Sequence, residues 1–115
     1  MNRTLSLIAL AALVCSGSAL ASGNMVAGKD KAKPCFACHG EDGNATTDAQ
    51  YPRLAGQYHD YLEQALREYK NGKRKNPIMG GFATTLSEQD ILDVAAYFSA
   101  LPGKVEDLHG HLQGQ

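Results

Sequence analysis

Apolar residues recur at helical spacing in two stretches of this chain. Tyr58, Tyr61, Leu62, Ala65, Leu66 and Tyr69 step by three and four, so they share one helical face. His59, Asp60, Glu63, Arg67, Glu68 and Lys70 occupy the other faces, and Glu63 with Arg67 is an i, i+4 pair in the favourable orientation. The spacing predicts a helix over 57–71, stopped by Asn71-Gly72. Ile91, Leu92, Ala95, Ala96, Phe98 and Ser99 predict a second buried stripe. Ser87 is its N-cap, Glu88 and Asp90 sit on the positive end of the helix dipole, and Leu101-Pro102-Gly103 ends it. A shorter helix is predicted over 26–33, where Ala27, Lys29, Lys31, Ala32 and Lys33 favour helix and Gly28 does not. Pro34 stops it, because proline has no N–H and restricts the residue before it.

The remaining segments have no apolar period. Gly40 to Gln50 crowds Gly, Asp, Asn and Thr together, and Lys73 to Leu86 reads as another loop. Tyr51-Pro52-Arg53-Leu54-Ala55-Gly56 is irregular but carries large apolar groups, which need a surface to pack on. No stretch alternates with the period of a strand. The chain is therefore read as all-α, with three main helices joined by long loops. Loops of this length suit a small domain when they lie on a cofactor.

The first residues differ from the rest. Arg3 is followed by an apolar run from Leu5 to Val14, and Ala19-Leu20-Ala21 has the form of a cleavage site. Residues 1–21 are read as an export signal that is removed, the apolar run being too short for a comfortable membrane span. Cys15 lies inside it and is read as an apolar residue discarded with the signal. The domain is then 22–103, with a polar, frayed tail over 104–115 that carries His109 and His111. Without Arg3 the chain has ten Lys and Arg against twelve Asp and Glu, a balance that argues against general nucleic-acid binding.

Outside the leader the only cysteines are Cys35 and Cys38, in Cys35-Phe36-Ala37-Cys38-His39. C-x-x-C-H is the pattern for covalent attachment of a c-type haem. Each thiol can form a thioether to the porphyrin, and the histidine that follows can bind the iron. A bare C-x-x-C also occurs in zinc sites and thioredoxin-like folds. The first needs a second ligand pair and the second a βαβ pattern, and neither is evident. The sixth iron position decides function. Met/His ligation gives an electron carrier of raised potential, whereas an open position gives ligand binding or catalysis. Met79, in Asn76-Pro77-Ile78-Met79-Gly80-Gly81, is the candidate: a methionine in a loop, with glycines that let the backbone run close to a flat surface. Tyr58, Tyr61 and Tyr69 are read as core. Arg67, Lys70, Lys73, Arg74 and Lys75 are either a solvated run or a docking patch beside the Met79 segment.

These residues together resemble a class I cytochrome c, especially the small bacterial type that matches one half of a two-haem cytochrome c4. The likeness is carried by Cys35 to Gly40, Asp42-Gly43-Asn44, Tyr51 to Gln57, Asn76 to Met79, Leu86 to Ile91 and Ala95 to Phe98. With one haem motif, the chain is not the two-haem protein itself. The resemblance implies the cytochrome c fold wrapped round one covalent haem c, thioethers at Cys35 and Cys38, and axial ligands His39 and Met79. It implies that the carbonyl of Pro52 supports His39, and that the first and last helices meet with Gly28 and Tyr97 as partners. The expected function is single-electron transfer in the periplasm. The protein is expected to act as a monomer, between redox protein partners or a membrane-bound respiratory complex, and not as an enzyme. The alternatives are a ligand-binding haem sensor and a haem subunit of a larger oxidoreductase.

Overall fold

The structure is a computed structural model that describes residues 22–103; the expected leader with Cys15 and the expected tail with His109 and His111 lie outside the described residues. The elements are α1 (Met25–Lys31), a 3₁₀ turn (Lys33–Cys35), α2 (Phe36–His39), α3 (His59–Lys70), α4 (Pro77–Ala83) and α5 (Glu88–Ala100). The described residues are all-helical apart from loops, as the missing strand period implies. The first helix ends earlier than expected. Pro34 does not simply stop it but opens the 3₁₀ turn that leads into α2.

Helices α1 and α5 pack directly, and Gly28 makes this possible. A Cβ at Gly28 would overlap the carbonyl oxygen of Asp93 and lie 3.0 Å from the Cβ of Tyr97. Asp93 is buried and joins the two helices. The Asn24 N–H donates to its Oδ1 at 2.7 Å, while the Asn24 side chain caps α1 by accepting from Val26 and Ala27. Gly28→Val is expected to force the helices apart and to cost about 3 kcal/mol, at the upper end for overpacking, as read by urea unfolding of the haem-loaded protein. Unchanged stability would mean the two helices do not pack this closely.

The α5 stripe is rotated from the expected one. Its buried residues are Ile91, Asp93, Val94, Ala95, Tyr97 and Phe98, whereas Leu92, Ala96 and Ser99 are half-buried. Simple apolar periodicity misses this because Asp93 and Tyr97 carry polar groups that find partners inside. The Tyr97 hydroxyl donates to the carbonyl of Glu41 at 2.6 Å. The main buried cluster is Ala32, Leu62, Val94, Ala95, Tyr97 and Phe98, with Phe36, Leu54 and Leu66 packed against it. Phe36 and Phe98 meet edge to face with centroids 6.5 Å apart.

Ser87 and Asp90 start α5 with a reciprocal capping box. The Asp90 N–H donates to the Ser87 hydroxyl at 3.1 Å, and the Ser87 N–H donates to the Asp90 carboxylate at 2.9 Å. The Ser87 N–H above all, with the Ser87 hydroxyl and Lys31, whose Nζ is 3.1 Å away, holds the Asp90 carboxyl below its ordinary value of 3.8 against the opposing effect of burial. A carboxyl depressed by folding stabilises above its unfolded pKa, and that stabilisation is lost as pH falls through its folded pKa. Asp90→Ala is therefore expected to cost about 1 kcal/mol at pH 7. The difference should shrink as pH falls below about 4 and close only below the depressed folded pKa of Asp90, where the wild-type carboxylate is protonated in the folded state. Parallel denaturation at pH 7 and in acid checks this, and a gap that stays constant would count against the cap.

Candidate cofactor site

Cys35, Cys38 and His39 stand in two consecutive turns of helical backbone. Residues three apart on such backbone share a face, so both thiols look the same way. Both cysteines are free and half-buried, and burial pushes the Cys35 thiol up. His39 is buried at the end of α2. Its Nδ1 lies 2.8 Å from the carbonyl oxygen of Pro52. A carbonyl only accepts, so Nδ1 is the donor, and in the neutral imidazole this leaves Nε2 with its lone pair. The Tyr51 ring packs 6.2 Å from the imidazole, centroid to centroid.

The loop after α2 is folded back onto this segment. The Thr47 N–H donates to the Cys38 carbonyl at 3.1 Å, and the Thr47 hydroxyl to that of Ala37 at 3.2 Å. Gly43, at φ +67°, presents its carbonyl to the N–H groups of Leu54 and Ala55 at 2.8 and 3.1 Å. A Cβ there would lie 2.8 Å from the Ala55 nitrogen and 3.1 Å from the Phe98 ring, so glycine is needed for both conformation and space. These contacts bring the Tyr51–Gln57 segment, with Pro52, beside His39.

Met79 is not in a loop. It lies on α4, and this corrects the expectation from sequence. Asn76 caps the helix by accepting from the N–H groups of Ile78 and Met79 at 3.0 and 3.1 Å, and Pro77 occupies the first turn. Gly80 and Gly81 are therefore helical residues; they do not carry an extended backbone across a flat surface. The cap and proline in Asn76-Pro77 are a readable start signal, masked by two glycines in seven residues. Helix α4 packs on α3, and the Lys70 ammonium donates to the carbonyl of Leu86 just before α5.

One cleft of about 440 Å³ has Cys35, Cys38, His39, Pro52 and Met79 on its walls. Leu54, Leu62, Leu66, Val94 and Phe98 make much of its apolar lining. Tyr61 and Tyr69 also face it, with Tyr61 49% exposed. The expectation that Tyr58 and Tyr61 are core is corrected, since Tyr58 is 58% exposed. Leu62 alone of the α3 stripe is buried; Tyr61, Ala65, Leu66 and Tyr69 line the cleft beside it and keep part of their surface open. Among the described residues, no group of three or more His, Cys, Asp or Glu is arranged to hold a metal ion on its own. Apolar lining, paired thiols and a histidine of settled tautomer fit an iron porphyrin, and the volume lies in the range of about 300–1,000 Å³ usual for cofactor sites.

An all-helical fold around such a cleft defines a protein with covalently attached haem. The family described as cytochrome c matches residues 25–102. Cytochrome c4 of Pseudomonas aeruginosa is 44% identical over 100 residues, which cover 87% of this chain and 49% of that protein. Cytochrome c-554(548) of Halomonas halodenitrificans is 43% identical over 82 residues, covering 69% of this chain and 98% of that one. A thiosulfate dehydrogenase electron acceptor of Thiomonas intermedia is 38% identical over 101 residues, covering 88% of this chain and 45% of that one. The crystal structure of reduced recombinant cytochrome c4 from Pseudomonas stutzeri superposes with a TM-score of 0.67 at 41% identity, over 73% of this chain and 48% of that one. The chain thus spans about half the length of the cytochromes c4 it matches. The chain belongs to the cytochrome c family, and its cofactor is covalently bound haem c with its iron.

Proposed function

We propose that this protein is a single-haem electron carrier, with Cys35 and Cys38 as attachment points and His39 and Met79 as the axial pair. The observation that carries the reading is the shared cleft. His39, its Nδ1 committed to Pro52, and Met79, on a capped helix, line the same cavity. The haem supplies a one-electron ferric/ferrous couple. The chain's own residues do the rest. The Pro52 carbonyl holds the imidazole in one tautomer and raises its basicity. Asn76 and Pro77 hold the backbone of Met79 before any ligand is met, so little rearrangement accompanies a change of charge at the site. Leu54, Leu62, Leu66 and Phe98 exclude water from the cleft and lower its dielectric, which strengthens the effect of the ligand set on the potential.

In this reading the export signal expected in residues 1–21 would deliver the carrier to the periplasm, with redox proteins as donor and acceptor. The relative named a thiosulfate dehydrogenase electron acceptor favours a second reading, in which the chain is the haem-bearing partner of a dedicated oxidoreductase. Neither reading makes the chain itself an enzyme. Carbon monoxide separates the carrier from a ligand-binding sensor. The reduced protein at neutral pH is expected to keep its spectrum under carbon monoxide, because Met79 holds the sixth position. Rapid formation of a carbonyl spectrum would sink the carrier reading.

A further inference from the structure

The hydrogen bond that orients His39 runs out to a surface segment. Its acceptor residue, Pro52, is exposed, and so are Gln50 and Arg53. The donor, His39, is nevertheless only 5% exposed. Within 50–53 Tyr51 alone is half-buried. Its ring packs on the imidazole with centroids 6.2 Å apart and an angle of 59° between the planes, within the range of about 4.5–7 Å for aromatic contact. Tyr51 also lines the haem cleft, so one side chain borders both the space for the cofactor and the His39 ring.

A turn sets the Tyr51 backbone. The Tyr51 N–H donates to the Asp48 carbonyl at 3.1 Å, and the Gln50 N–H donates to the Asp48 carboxylate at 2.8 Å. The preceding residue ties the turn to the attachment motif, because the Thr47 N–H donates to the Cys38 carbonyl at 3.1 Å. The ring is thus brought to the imidazole by contacts that involve no cofactor atom.

We infer, on the reading that His39 is an iron ligand, that Tyr51 is a positioning residue for the axial imidazole: its ring seals the His39–Pro52 hydrogen bond from water and so raises the potential of the haem. The ferric iron–porphyrin core carries one more positive charge than the ferrous core, and dry surroundings disfavour that charge. Water admitted at Nδ1 accepts a hydrogen bond nearly as well as the Pro52 carbonyl, so the basicity of the ligand changes little. The local dielectric then decides the sign, and loss of the ring lowers the potential. The effect belongs to the ring and not to the hydroxyl, since the contact with the imidazole is ring to ring.

The test follows exchange of the His39 Nδ1 proton with solvent by NMR of the reduced, haem-loaded protein, with the midpoint potential measured on the same samples. Tyr51→Ala is expected to speed this exchange by roughly tenfold or more and to lower the midpoint. Tyr51→Phe should leave both as they are in wild type. Asp48→Ala loosens the turn from an exposed position and should speed exchange by roughly threefold, which keeps the test open where Tyr51→Ala fails to load haem. The Gly40 amide, which donates to the Phe36 carbonyl at 3.0 Å, reports opening of α2 itself. Acceleration of that amide in step with the imidazole proton would reduce Tyr51 to a structural role and overturn the assignment. So would a wild-type Nδ1 proton too fast to detect, an unmoved midpoint in Tyr51→Ala, or an equal effect of Tyr51→Phe. The porphyrin ring current shifts the ring protons of an axial histidine far upfield. Upfield His39 signals with unaltered exchange in the variants remove the Tyr51 role alone, whereas their absence from wild type removes His39 from the iron and the carrier reading with it.

Discussion

Met79→Ala is expected to abolish the sulfur-to-iron charge-transfer band of the oxidised protein. It should also lower the midpoint potential by on the order of 0.1–0.2 V, within the span of about 0.8 V that axial ligands control. A thioether stabilises ferrous over ferric iron, and its replacement by water or an oxygen donor removes that preference. The fold should persist. Met79 is half-buried on α4, and the cap from Asn76 does not depend on the side chain at 79. Alanine is also the better helix former in a segment that already carries Gly80 and Gly81. Visible spectra, voltammetry and far-UV circular dichroism on one preparation separate ligand loss from unfolding. An unchanged spectrum and potential would remove Met79 from the iron.

Replacing Cys35 and Cys38 together by serine should have a larger effect, on folding itself. The expected product from a host able to attach haem is colourless and largely unfolded, with a loss of about 5 kcal/mol or more, comparable with the whole stability of a small domain. The reason is the size of the protein-only core. Among the described residues its buried cluster has six members, two of them alanines, and the only large side chains buried beyond contact with solvent are Phe98 and Ile91. Tyr61, Leu66 and Tyr69 of α3, Tyr51 and Leu54, and Ile78, Met79 and Phe82 of α4 line the cleft and are only half-buried or exposed, so their burial depends on the cofactor. A serine variant that stays compact, helical and cooperatively melting without colour would overturn this account.

Much of the fold could be read from local chemistry. The α3 stripe and the Ser87 cap stand close to where the residues imply, and the first and last helices meet at Gly28 and Tyr97 as the resemblance to class I cytochromes c implies. The departures have separate causes. Helix α4 was hidden because Gly80 and Gly81 weigh against helix, while the Asn76 cap and Pro77 outweigh them in the folded chain. The α5 stripe was turned because Asp93 is buried against the Asn24 N–H, and hydropathy alone ranks aspartate outside. Tyr58 and Tyr61 lie outside the core; helical period says which residues share a face and not what that face meets.

The one-dimensional chain determined the composition of the cofactor site. Two thiols at a spacing of three with a histidine next to the second, and one methionine behind a proline, are local patterns whose chemistry does not depend on the rest of the fold. Only the tertiary structure decided that His39 donates from Nδ1 to a carbonyl thirteen residues away, and that His39 and Met79 line one cleft. Both depend on segments distant in sequence being held within a few ångströms of each other. Such proximity comes from loop closure and packing, which no residue carries by itself.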